Sequence, residues 1–222
     1  MIDYAKIDTT INIDGVDFHQ PVTAFTDYII TAICFYFFLR LRQIKNPTQS
    51  ITWWKRFYFC LSMASIFGGS SHAFFAVHQG FYYKLFWFPM QWLNIFAAFA
   101  AQQATLYSIF KNSPKKKVLR WSYLIQLILF SVSVIIFSNF LVVIIDSAIA
   151  LIPVMIVHFK NKDAEKGNNL IGWGIVILFF TAIINGTKIS INEYFTYLDI
   201  AHVFIIASLC VMFVGIKWKA IS

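Results

Sequence analysis

The stretch Leu119–Phe159, LRWSYLIQLILFSVSVIIFSNFLVVIIDSAIALIPVMIVHF, decides the architecture. It holds two apolar runs, each close to the roughly 20 residues that a helix needs to cross a bilayer, parted only by Ser138 and Asn139. Working outward, the same length recurs between short polar breaks, at Val22–Leu41, Trp54–Phe75, Leu85–Phe110 and, beyond, Leu170–Ile189 and Leu198–Trp218. With Leu119–Phe137 and Phe140–Phe159 these make seven segments. The expected fold is therefore all-α: a polytopic membrane protein built as a seven-transmembrane-helix bundle. Residues 1–21 form an N-terminal segment, 22–218 the bundle and 219–222 a tail.

Composition agrees, since 59% of the 222 residues are hydrophobic and only 13% charged. The net charge of +8 does not read as a nucleic-acid surface, because the cations lie between apolar runs and not on one soluble face. Cationic loops resist translocation, so their placement reads as topology. Of 18 Lys and Arg, all but Lys6, Lys84 and Lys188 fall on one side of an odd-numbered bundle. That side is the cytoplasm, which places the N-terminus outside and the C-terminus inside, as in a bacterial inner membrane. Trp53, Trp54, Trp121, Trp173 and Trp218 then sit at the inner boundary.

Cys34, Cys60 and Cys210 lie in different apolar segments with no CxxC spacing, and read as packing residues. The first residues carry acids where a signal peptide carries cations, so the segment is expected to be retained. Its Asp3, Asp8, Asp14 and Asp17 match no calcium loop, and Asp14-Gly15 marks a turn. Neither repeats nor broken helices support an inverted-repeat transporter. Lys188 lies at a helix exit and does not suit a retinal Schiff base. His19, His78 and His158 fall at interfaces, where imidazoles are readily hydrated, and receive no role.

Ionisable groups in hydrocarbon cost at least about 2.5–3.5 kcal/mol, so those inside the spans are functional candidates. Asp27, His72, Asp146, Asp199 and His202 all fall within roughly the outer 10–12 Å at 1.5 Å per residue. Five costly groups at one level point to a single polar chamber. Asp199 and His202, three residues apart, share a helix face. Gly68, Gly69, Ser70 and Ser71 ahead of His72 let a neighbour approach closely. Gln91, Asn94 and Asn185 stand at similar depth as supporting groups. Converging imidazoles and carboxylates suit Zn²⁺, with His72, Asp199 and His202 as ligands and an open water position.

Gly-Gly-Ser-Ser-His (Gly68 to His72), Phe-Pro-Met (Phe88 to Met90) and Leu-Asp-Ile-Ala-His (Leu198 to His202) resemble the seven-helix hydrolase superfamily of alkaline ceramidases and adiponectin-receptor-type proteins. The resemblance implies a zinc site among the second and seventh helices and an outside N-terminus. In that pattern Leu198 stands where the first His of a His-x-x-x-His would be, with Asp199 as its replacement. Gly68 stands where a Ser would be, with Ser70 or Ser71 as its replacement. Thr-Asp-Tyr (Thr26 to Tyr28), Gly-Gly-x-x-His and Asp-x-x-His are more similar to uncharacterised bacterial seven-helix membrane proteins.

The expected function is a zinc-dependent hydrolase acting on a lipid ester or amide from the outer leaflet. Asp146 or Asp27 would move protons and Ser71 would bond the reacting oxygen. The alternative is a non-enzymatic membrane subunit or receptor whose polar cluster organises the bundle or binds a ligand. Expected partners are membrane lipids, with a second copy or a membrane subunit as further candidates.

Overall fold

The structure, a computed structural model, describes residues 9–76, 80–110 and 113–221. Asp3, Lys6, Asp8, His78 and Lys111 lie outside the described residues. Seven helices follow one another: α1 (Pro21–Arg42), α2 (Gln49–Phe75), α3 (Phe81–Ile109), α4 (Lys115–Phe137), α5 (Leu141–Lys160), α6 (Asn168–Thr187) and α7 (Tyr197–Ile221). Five of them, α1 and α4 to α7, are long and apolar enough to cross a membrane, which fits an integral membrane protein. The other two, α2 and α3, carry more Ser, Gly, Gln and Tyr. Those residues are tolerated because both helices are hemmed in by neighbours, and Gln91, Gln102 and Gln103 of α3 are all buried.

Neighbouring helices close a ring in the order α1, α2, α3, α5, α6, α7, with α7 returning to α1. The main core lies inside it, from Cys34 and Trp54 through Ala101 and Val154 to Ile175 and Met212. Helix α4 stands outside the ring against α3 and α5, and Val134 is its one buried residue. Ser138, in the left-handed region at φ 46°, ends α4 and separates it from α5, as the sequence break requires.

Helices α6 and α7 approach closely because glycines face each other. Gly167, at φ 94°, lies against the Gly215 backbone, and Gly174 lies against Met212 and Ser208. The Ser208 hydroxyl uses that proximity to donate to Gly174 O at 2.7 Å. At α2, Thr48 caps the helix by accepting from Ile51 N at 3.3 Å.

The N-terminal segment holds the chief departure from a purely helical chain. Strands β1 (Thr10–Ile13) and β2 (Val16–His19) pair antiparallel, Thr10 opposite His19 and Ile13 opposite Val16. Asp14 and Gly15 both have positive φ, 51° and 83°, the geometry of a type I′ hairpin turn. The hairpin packs on the end of α2, where Phe18 and Phe74 have ring centroids 5.4 Å apart. This hairpin end carries the starts of α1, α3, α5 and α7. The opposite, lysine-rich end carries Arg40, Arg42, Lys115 to Lys117, Lys160 and Lys217.

Three expectations change in detail. Trp54 is not at an interface but fully enclosed, because it packs edge-on against Phe57 and beside His158. His158 is likewise enclosed and not hydrated. Residues 219–221 are the last turn of α7 and not a separate tail.

Candidate functional site

The chamber begins with the close contact of α1 and α2. A side chain on Gly68 would meet Asp27 Oδ2 at 3.1 Å, and one on Gly69 would meet Ala24 O at 3.1 Å. The absent side chains let Asp27 lie flat against α2, one turn from His72. Helix α7 closes the third side with Asp199 and His202.

Asp199 is held by both ends. Its Oδ2 accepts from Thr196 N at 2.6 Å and Thr196 Oγ1 at 2.9 Å, a capping box in which Thr196 precedes the helix and Asp199 reaches back to it. Its Oδ1 accepts from Thr23 Oγ1 at 2.8 Å and ties α7 to α1. The carboxylate is fully buried and its two oxygens are engaged.

The two histidines are oriented through Nδ1. Thr26 Oγ1 donates to Thr23 O at 2.9 Å, so toward His202 Nδ1, 2.7 Å away, it accepts. His72 Nδ1 donates to the carboxamide oxygen Oε1 of Gln20 at 2.6 Å. Both rings therefore carry their proton on Nδ1 and leave a lone pair on Nε2. His202 Nε2 faces Asp27 Oδ1 at 3.7 Å. Among the described residues no hydrogen bond reaches the Asp27 carboxylate, although Asp27 is only 7% exposed. At 3.7 Å His202 Nε2 and the Asp27 carboxylate are close but not directly hydrogen-bonded, so both remain available to a molecule between or beside them. Asp27 is thus the meeting point: Gly68, one turn before His72, lies against it on one side and His202 faces it on the other.

Four of the five level-sharing groups thus converge. The fifth, Asp146, stands apart because α5 packs between α3 and α6, away from α1. Its Oδ1 accepts from Gln126 Nε2 at 2.7 Å, and Gln126 Oε1 accepts from Gln102 Nε2 at 2.9 Å. Ser71 is buried on α2, one turn beyond Phe67 and Gly68. Ser70 instead lies 3.3 Å from the Tyr28 hydroxyl. Asn94 and Asn185 donate to carbonyls of their own helices, Met90 O and Thr181 O, and supply no support to the chamber.

Three donors already engage the Asp199 carboxylate, and among the described residues no three His, Cys, Asp or Glu stand close enough to hold an ion. The donor set among the described residues does not fit a three-ligand zinc site.

Sequence reasoning missed two features. One is Gln20, whose place follows from the hairpin signalled by Asp14-Gly15 between alternating Ile11, Ile13, Val16 and Phe18. The other is a cluster at the lysine-rich end. There His158 lies between Thr105 Oγ1 at 3.1 Å and Asn168 Oδ1 at 2.9 Å. Lys219 Nζ reaches Asn168 Oδ1 at 2.7 Å and Glu165 Oε2 at 2.6 Å.

Fold and site together define a class: an all-α bundle of seven helices, five able to cross a membrane, with buried carboxylates and half-buried histidines gathered at one end. Within that class, the chain belongs to a family of unknown function (DUF6962), which it matches over residues 22–220. The match takes in the helices and begins beyond the hairpin. No curated protein and no solved structure matches the chain.

Proposed function

We propose that this protein is a seven-span membrane hydrolase that cleaves an ester or amide of a membrane lipid, reached from the outer leaflet. The hairpin end faces outward and the lysine-rich end the cytoplasm, in keeping with the positive-inside distribution. The observation that carries the reading is the Asp27 and His202 pair, a buried carboxylate with no hydrogen bond among the described residues beside an imidazole whose Nε2 faces it.

In this reading His202 Nε2 takes a proton from a water molecule as that water's oxygen bonds to the carbonyl carbon. Asp27, 3.7 Å away, stabilises the imidazolium that results. His72 Nδ1–H, now given to Gln20 Oε1, donates instead to the developing oxyanion. The bond to the leaving alcohol or amine then breaks, and His202 returns the proton to that group. Thr26 holds His202 in the tautomer this needs, and Asp199 fixes the start of α7.

The test is release of fatty acid from phospholipid and N-acyl sphingolipid in nanodiscs. His202→Ala and His72→Ala are expected to lower turnover at least about 100-fold, as removal of an acid–base or oxyanion group does. Asp146→Asn is expected to stay within about threefold, because its carboxylate bonds Gln126 outside the chamber. Metal analysis of the same proteins checks the misfit of a three-ligand zinc site, which stoichiometric zinc lost with either histidine would contradict.

A second reading, a ligand-binding or partner-binding membrane subunit, has its own support. Thr23, Thr26, Asp199 and His202 lace α1 to α7, work that a purely structural cluster also does. Intact folding with no turnover of either lipid would favour it.

A further inference from the structure

We propose that the N-terminal hairpin is a lid, and that the Gln20 carboxamide holds the place of the substrate carbonyl inside the closed chamber. The inference rests on the hydrolase reading for the nature of the occupant, but the lid can be tested without it. Gln20 sits where β2 becomes α1 and takes φ 44°, a left-handed conformation that costs a non-glycine residue energy. Its backbone is tied on both sides, Gln20 N donating to Thr9 O at 3.0 Å and Ala24 N donating to Gln20 O at 3.0 Å. The side chain is thereby swung inward, 7% exposed, with Oε1 accepting from His72 Nδ1 at 2.6 Å.

The group presented to His72 is a planar carbonyl bearing nitrogen, the functional group of a lipid amide and a near match for an ester. It is also a neutral acceptor that asks nothing of His72 beyond the bond a substrate oxygen would take. While it is in place, the only donor His72 offers through Nδ1 is in use. A lipid can bring its own carbonyl there only after Gln20 leaves.

The hairpin is built to move. An isolated pair of short strands is marginal in water, and all four residues of β1 are exposed. Its contacts with the bundle centre on the end of α2, through Phe18 on Phe74 and Gln20 on His72. The backbone strain at Gln20 lies at the one point where the hairpin joins α1, which places the hinge there. Opening would thus release a strained conformation, lift the lid and free His72 in a single motion.

The full chain in nanodiscs tests this with diethylpyrocarbonate, which modifies unprotonated imidazoles, read by mass spectrometry at His72. Enclosed His158 serves as the internal control. Gln20→Ala is expected to raise modification of His72 about tenfold and leave His158 unchanged, as the lid-open population rises from a minor state. A disulfide between Phe18→Cys and Phe74→Cys is expected to lower it below wild type until reductant is added. Where turnover is measurable, Gln20→Ala lowers KM by a similar factor with kcat unchanged. Unaltered His72 modification in both variants overturns the lid. Altered modification without any lipid turnover keeps the lid and overturns the hydrolase reading instead. Altered modification with wild-type KM keeps the lid and overturns the carbonyl role of Gln20.

Discussion

Gly167→Ala is expected to destabilise the folded protein by about 3–5 kcal/mol, combining left-handed strain with overpacking, each worth about 1–3 kcal/mol. Gly167 takes φ 94° and a Cβ there would run into the Gly215 backbone, which cannot turn aside as a side chain could. The contact fixes how near α6 comes to α7, and α7 carries Asp199 and His202. The damage would therefore reach the chamber as well as the packing. Thermal unfolding in detergent checks the prediction against Gly186→Ala. That residue is on the same helix with nothing within 4 Å of an added Cβ, and its substitution should change stability by less than about 0.5 kcal/mol.

Asp199→Ala is expected to cost about 2–4 kcal/mol, because three donors lose one buried acceptor. The Thr196 N–H and hydroxyl lose the cap, and Thr23 loses its tie to α7. Asp199→Asn keeps one carbonyl oxygen for part of this set and is expected to cost about half as much. Thr23→Val removes only the tie between helices, at about 1 kcal/mol. Thermal unfolding ranks the three. Limited proteolysis near residues 190–196 reads the loosening of the α7 start, expected for both Asp199 variants and not for Thr23→Val.

The bundle was legible because helices in an apolar solvent must be long and apolar, and that constraint writes itself along the chain at fixed length. Ser138 and Asn139 alone were enough to part α4 from α5. The depth of Asp27, His72, Asp199 and His202 was legible for the same reason, since 1.5 Å per residue converts position into level. Azimuth was not. Asp146 shares the level, yet its helix stands on the far side of the ring, and nothing local in the sequence states the order of helices around it.

The role of Asp199 illustrates a second limit. Its spacing from His202 is equally that of a metal-ligand pair and of a capping-box residue followed by an unrelated histidine. Only Thr196, three positions earlier, separates the two, as the residue the carboxylate reaches back to. Trp54 and His158 show the converse. Both lie near helix ends, where amphipathic rings usually meet water, but neighbouring helices enclose them. Of the hairpin only the Asp14-Gly15 turn was legible, because its strands are two short alternations, Ile11 and Ile13 then Val16 and Phe18, in a segment otherwise rich in acids.

The proposed hydrolase requires Asp27 and His202 to act as one proton-handling unit on a lipid carbonyl. A double-mutant cycle on lipid turnover in nanodiscs tests it directly, using Asp27→Asn, His202→Ala and both together. Residues that act as a unit are strongly non-additive, so the double variant should be no slower than His202→Ala alone, within about threefold. Losses that multiply, or an Asp27→Asn protein as active as wild type, would contradict it.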